Sequence, residues 1–476
     1  MNKTILILLF SILTISCKTE KVETIKKEKI SLLGNWEYLG FGKAITINDS
    51  IVQRFHTSSV GNVQMTDQTV KYFFNYFTID TLSNDTILLK DGVKTFKLFR
   101  SNEDFTTKIN SDLQNDPKYN FEVLWNTFNE HYCYFKERNI DWNELYDKYE
   151  SRVNSETKPI DLYVIFEKML AEINDGHVGI DLPSALEEEY NELQKNNADT
   201  KKNGNNGELQ KELRTKIVKR YLKEPKTFNR GSINFGKINE NIGYLEIQNM
   251  VTMAHYHLPD SLSNDDFWST YMTNLNNEKN YHVAVEEGTR FMMDSIVKDL
   301  ADIKALIIDI RFNGGGFDDA SVEILNHLVA KETDFVTKKV KLGEGFTKKQ
   351  AMTLYPSKNT FNGKVYVLTS HMTASASEVL VLGIKQLDNS KSIGASTEGI
   401  FSDILHKKLP NGWTYDLSNM VYETMDGVSY ENTGLEPDYK LDYPKNPNDL
   451  YEFLLEDLKD GDDAIEKVIE EIKLLD

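Results

Sequence analysis

The chain has 476 residues, enough for two or three domains, and its 40% hydrophobic and 11% aromatic content supplies buried cores and excludes a disordered chain. A formal net charge of -19 at pH 7 argues against a nucleic-acid partner, because phosphate binding needs clustered Lys and Arg. With only Cys17 and Cys133, a zinc site or a cysteine-protease site has almost nothing to build on.

Lys3, an apolar run from Ile5 to Ile15, then Ser16 and Cys17 give the layout of a bacterial lipoprotein export signal over residues 1–17, with Cys17 as the lipidated residue. Thr14 stands where Leu is more usual, and a non-lipidated secretory peptide is the alternative. Either predicts export; the lipoprotein reading predicts a protein held in the cell envelope by a lipid anchor, periplasmic or outer-membrane associated. Residues 18–31, rich in Lys, Glu and Thr, suit a tether.

Residues 32–102 predict a small antiparallel β domain from short alternating runs at Trp36-Glu37-Tyr38, Tyr72 to Ile79, Ile87 to Leu89 and Val93 to Phe99. Asp91-Gly92 is a tight-hairpin signal. Gly34-Asn35-Trp36 is similar to the opening of lipocalin-like barrels. Residues 118–184 predict a helical domain, with Phe121, Leu124, Trp125 and Phe128 at helical spacing and an apolar stripe from Leu162 to Ile173. Cys133, among Tyr132, Tyr134 and Phe135, reads as core. The second helix stops at Asn174-Asp175-Gly176-His177. Residues 185–227 are dominated by Glu, Lys, Asn and Gln and read as a linker, a solvated helical hairpin or a lid. From 228 to 445 the pattern is an α/β alternation, with buried strands at Ile242 to Ile247, Ala305 to Ile310 and Val365 to Thr369. Residues 446–476 predict two C-terminal helices.

The strongest chemical signal follows the strand Val365 to Thr369, where Thr373-Ala374-Ser375-Ala376-Ser377-Glu378 opens a helix. A helix N-terminus offers free N–H groups and a positive dipole end beside the serine hydroxyl, although such a serine alone is more often an N-cap. Asp309-Ile310-Arg311-Phe312-Asn313-Gly314-Gly315-Gly316 leaves another buried strand, and its glycines can turn backbone N–H groups into a cleft. No nucleotide-binding fingerprint accompanies them. A serine needs a base, and His177 is the best placed of the nine histidines. Glu431, in Tyr430-Glu431-Asn432-Thr433-Gly434-Leu435-Glu436-Pro437-Asp438, is the candidate carboxylate to orient it.

Taken together, Asp175-Gly176-His177, Asp309 to Gly316, Ser375 to Glu378 and Glu431 to Asp438 resemble, in order, the tail-specific and tricorn-type serine peptidase family, which includes the C-terminal processing peptidases. The resemblance implies an α/β core of the ClpP/crotonase-like type, Ser375 as nucleophile, and an oxyanion held by backbone N–H groups of Ala376 and of the Gly314-Gly315 turn. Processing peptidases carry a catalytic lysine in a segment that matches Gly394 to Phe401, and Ile400 stands in its place. The implied branch is therefore tricorn-like, with His177 as base and Glu431 as third member. No PDZ module is expected, since 187–226 is too short and too polar. Expected substrates are peptides or unfolded proteins, with no metal or organic cofactor. The oligomeric state is unknown. A catalytically silent relative that binds apolar ligands or peptides, as the retinoid-binding proteins of the eye do on a similar core, is the alternative, and Lys385 or Lys391 is the alternative base.

Overall fold

A computed structural model describes residues 31–196 and 206–474; the leader, Cys17 and nearly all of the tether lie outside the described residues. The N-terminal region is a seven-stranded antiparallel sheet. Its spatial order is Asn62–Thr69, Ile51–Thr57, Lys43–Ile47, Gly34–Tyr38, Lys94–Ser101, Thr86–Asp91, Thr78–Ser83. Period-two alternation sends Trp36, Ile45, Val52, Ile87, Leu89 and Leu98 into one buried cluster, joined by Phe73 of helix Val70–Tyr76.

The run from Tyr72 to Ile79, expected as a strand, is largely that helix, and a strand begins only at Thr78. Thr69 Oγ1 caps the helix by accepting from Tyr72 N–H at 3.1 Å. Phe73 and Phe77, four residues apart, meet with ring centroids 5.0 Å apart. Burial on a helical period outweighs the strand preference of aromatic residues. The turn at Asp91-Gly92 does close a hairpin, with Gly92 at φ 56 and Asp91 paired to Lys94. Its tip docks on the α/β unit, where Val93 N–H donates to Asp319 Oδ1 at 2.8 Å.

Helices Pro117–His131, Trp142–Glu150 and Pro159–Ala171 follow, two of them started by Asp116 and Asp141 as N-caps. Their apolar faces, including Phe121, Phe128, Trp142, Phe166 and Met169, share one core with the α/β unit. Cys133 lies half-buried against that core.

The α/β unit is built on a second seven-stranded sheet ordered Tyr439–Lys440, Ser390–Gly394, Lys364–Thr369, Ala305–Asp309, Ile242–Ile247, Ile233–Lys237, Lys223–Phe228. The strands from Ile242–Ile247 to Tyr439–Lys440 pair in parallel, so both faces must be covered. Leu306, Ile308, Val365 and Val367 pack with helices Tyr281–Asp299, Asp318–Asn326 and Ala376–Ile384. Ala305, Ile307, Tyr366 and Leu368 pack with Asn206–Tyr221, Pro447–Asp457 and Asp463–Lys473. The multidomain α/β architecture is thus the one expected. Of the expected readings for 185–227, two helices are present, Glu187–Asn196 and Asn206–Tyr221, but the second is docked on the core and not solvated. Helix Asn206–Tyr221 buries Leu213, Ile217 and Tyr221 under the sheet, and Arg214 pairs with buried Glu246. Three apolar positions at helical spacing suffice to dock an otherwise polar helix.

Candidate active site

Ser375 stands where strand Lys364–Thr369 has turned into helix Ala376–Ile384, with φ 55 and ψ -127. A non-glycine residue in this region stores about 1–3 kcal/mol and persists only where its surroundings over-determine it. They do so here. Thr373 Oγ1 donates to Ile310 O at 3.0 Å, and Ala374 N–H donates to Asn313 O at 3.3 Å. Ser375 N–H donates to Glu378 Oε2 at 3.1 Å, and Ser321 Oγ donates to Ala376 O at 2.6 Å. Ser375 opens onto a cleft of about 510 Å³ shared with Gly316, Asp318, Phe401, Ser402 and Asp403 and, opposite, with residues of the β domain.

Ala376 N–H, the first of the helix, has no acceptor among the described residues. The glycine turn lies against it: a Cβ on Gly315, whose φ is 98, would come within 2.7 Å of Ser375 Cβ and 3.0 Å of Ala376 N. The Gly315 N–H itself donates to Asn313 Oδ1 at 2.9 Å, Gly314 is exposed, and Gly316 is the glycine that lines the cleft. Beneath the turn, fully buried Arg311 pairs with Asp309 at 2.6 Å and with Asp462 at 2.8 Å.

One loop, 397–403, connects the serine to the histidine. Glu378 accepts from Thr397 Oγ1 at 2.6 Å and from Gly399 and Ile400 N–H, both at 2.7 Å. Burial nevertheless dominates and pushes the Glu378 carboxyl up to about 8, with the charge of Glu431 adding to it. Ile400, in place of the family's lysine, has its side chain over Gly176, where an added Cβ would meet it at 2.4 Å. The His177 ring follows, against the backbone of Ser402. Burial lowers the His177 pKa, and Asp175 and Asp403 only partly offset this, so the site favours the neutral ring. Its Nδ1 has no hydrogen-bond partner among the described residues. No hydrogen bond joins Ser375 Oγ to the His177 ring among the described residues; in ligand-free sites such bonds are often long.

Glu431 is buried and does not bond His177. It accepts from Phe401 N–H at 2.8 Å, from Ser402 N–H at 3.3 Å and from Arg138 Nη2 at 2.8 Å. Burial, then the charge of Asp175, pushes it up to about 7. Asp175 accepts from Tyr132 OH at 2.9 Å and from His177 N–H at 2.9 Å, and its Oδ2 lies 3.4 Å from Arg138 Nε. Arg138 and Asp403 escaped the sequence reading. Arg138 sits in a polar run with no local mark of burial. Burial would raise Asp403, but Lys338 and Lys94 hold its carboxyl well below the usual range. Lys385 and Lys391, the alternative bases, are paired with Asp438 at 2.9 Å and Glu471 at 2.7 Å. Among the described residues no group of three or more His, Cys, Asp or Glu is arranged to hold a metal ion.

The Peptidase family S41 model matches residues 241–441, and the Tricorn protease C1 domain model matches residues 113–171. Residues 241–441 thus carry the peptidase family S41 match. The chain is 25% identical over 240 residues to the Tricorn protease of Thermoplasma acidophilum, covering 50% of this chain and 18% of that protein. To the "Probable CtpA-like serine protease" of Staphylococcus aureus it is 28% identical over 156 residues, 32% of this chain and 31% of the relative. It thus spans less than a third of the length of these curated relatives. A solved structure of a candidate peptidase from Parabacteroides merdae shares the fold, with a TM-score of 0.52 and 23% identity over 75% of this chain and 96% of that one. The family expected from the four ordered motifs is the family found.

Proposed function

We propose that the chain is a serine peptidase that hydrolyses peptide bonds of peptides or unfolded proteins through an acyl-enzyme on Ser375. The observation that carries this reading is the strained Ser375 at a helix N-terminus, beside a free Ala376 N–H and a glycine turn. His177, neutral and with Nδ1 unpaired, takes the Oγ proton as Oγ bonds to the substrate carbonyl carbon. The negative carbonyl oxygen is held by Ala376 N–H and an N–H of the Gly314–Gly316 turn. Collapse breaks the C–N bond, and the imidazolium gives its proton to the departing amine. Water, deprotonated by His177, then releases the acid. Glu431 acts as a positioning residue: it holds the 401–402 backbone against which the His177 ring lies.

The reading also places the protein in the bacterial envelope, lipid-anchored through Cys17, on the strength of the leader pattern Ile5 to Cys17. Labelling with a fluorophosphonate probe tests the chemistry. Wild type is expected to be labelled and Ser375→Ala not; an unlabelled wild type, or equal labelling of both, sinks the proposal. Metabolic labelling with a fatty-acid analogue tests the anchor, which is wrong if Cys17→Ser keeps the label.

A further inference from the structure

The β domain forms the wall opposite Ser375, and its strand register sets what that wall presents. Lys43 pairs with His56, and Ile45 pairs with Arg54, across neighbouring strands. Pleat alternation puts all four on the same face, the one that buries Trp36 and Leu98 further in. Lys43, Arg54 and His56 line the same cleft as Ser375.

No carboxylate is paired with these groups among the described residues: Asp416, whose charge acts on Lys43, is itself bonded to His406 Nδ1 at 2.6 Å. Neither Lys43 nor Arg54 makes an ion pair or side-chain hydrogen bond among the described residues, and buried His56 Nδ1 has no partner. Burial and the neighbouring charges of Arg54 and Lys94, opposed in part by Asp416, push Lys43 down to about 8. His56 is lowered by burial and then by Lys407, Lys43, Arg54 and Lys408. The cleft's carboxylates are already engaged. Asp403 is held by Lys94 at 3.0 Å, Asp318 by Lys338 at 2.9 Å, and Asp91 lies 3.5 Å from His282 Nε2. Unpaired cations gathered in one half-buried place, in a chain of net charge -19, are costly unless an anion completes them.

We propose that Lys43 and Arg54 form a substrate subsite that binds a carboxylate of the peptide lying across Ser375. The inference rests on the peptidase reading only for the identity of the ligand as a peptide. A carboxylate accepts from both cations, relieves their repulsion, and leaves His56 able to donate as well. Its source is either the peptide's C-terminus or an acidic side chain, since both present the same group.

The test uses the full chain carrying Ser375→Ala, so that nothing is turned over, and peptides of one sequence bearing a neutral fluorophore. One peptide is amidated and free of acidic residues, one has a free C-terminal carboxylate, and one is amidated with a single internal Glu. Anisotropy titrations are expected to show about tenfold tighter binding of one carboxylate peptide over the neutral one, as charge-assisted hydrogen bonds provide. Which peptide it is identifies the source. Adding Lys43→Gln and Arg54→Gln is expected to bring the ratio close to one, with thermal melting as the check on folding. Arg54→Glu in place of this pair is expected to turn the preference against the carboxylate. Equal affinity for all three peptides, binding of none, or a preference that survives the double substitution would overturn the subsite. Failure of the peptidase reading shows separately, as absent fluorophosphonate labelling of wild type, and leaves this binding measurement valid.

Discussion

On the core side of the cleft, Glu378 and Glu431 accept from the backbone of Ser375, Gly399, Ile400, Phe401 and Ser402, and Arg138 lies between Glu431 and Asp175. On the β-domain side, Lys43 and Arg54, which make no ion pair among the described residues, and His56, whose Nδ1 has no partner there, face the same space. The carboxylates of the first wall are satisfied before any ligand arrives, so its geometry is set by the fold, while Ala376 N–H and His177 Nδ1 have no partner among the described residues. The second is left open, and its charges are satisfied only by what enters. On the proposed reading, catalytic groups stand on the side with the satisfied carboxylates and recognition on the other, which would separate rate from selectivity in a single cleft.

The largest expected effect is on the first wall. His177→Ala removes the base and is expected to lower kcat by about 10,000-fold with little change in KM, read by steady-state hydrolysis of a peptide substrate. Retained activity would mean that the 397–403 loop holds some other base against Ser375. Next comes Arg138→Met, which keeps the aliphatic stem but leaves two carboxylates with fully buried side chains, Asp175 and Glu431, without their cation. Breaking such a pair costs about 3–5 kcal/mol, read from the shift of the urea unfolding midpoint. A stability loss near zero would show that this network is not what fixes the wall.

Much of the first wall was legible in sequence because its parts carry backbone signatures. Ser375, Gly315, Gly316 and Asn174 of the helix stop before His177 all take a positive φ, and small or turn-forming residues mark them. What holds those parts together was not legible. Arg138 and Glu431 lie 293 residues apart and meet only in the fold. Glu431 therefore read as a direct partner of the imidazole, whereas the structure has it gripping the loop beside it. Lys43 and Arg54 carry no motif at all. Their significance is purely the register that brings them to one face and the absence of an anion across from them. The helix at Val70–Tyr76 was hidden by its aromatic residues, which favour strands until a buried helical face claims them.

Adjacent glycines of the proposed oxyanion turn differ in the room each has. An added Cβ on Gly315 would meet Ala374 O and Ser375 Cβ, both at 2.7 Å, at a φ of 98, whereas one on Gly314 would meet nothing within 4 Å. Gly315→Ala is therefore expected to displace the turn from Ser375 and lower kcat by about 100-fold, the scale of losing one oxyanion donor, while Gly314→Ala stays within about threefold of wild type. Equal effects at both positions would argue that the turn acts through backbone flexibility and not through contact with the serine.

The last expected effect is the pH dependence of stability, in which donors to Glu378 and Glu431 counteract burial without cancelling it. In the folded chain Glu378 is raised from 4.5 to about 8 and Glu431 to about 7. Between 4.5 and those values the folded state holds protons that the unfolded state has released, so the contribution to stability is complete at low pH and is lost as pH rises toward about 8. The urea midpoint is expected to fall between about pH 5 and about pH 9, and Glu378→Gln, which stays neutral, is expected to flatten that fall relative to wild type. A midpoint that instead rises over this window would mean that the N–H donors of Ser375, Gly399 and Ile400 outweigh burial and keep Glu378 ionised. The core wall would then carry two buried negative charges beside His177, and its base would be correspondingly stronger.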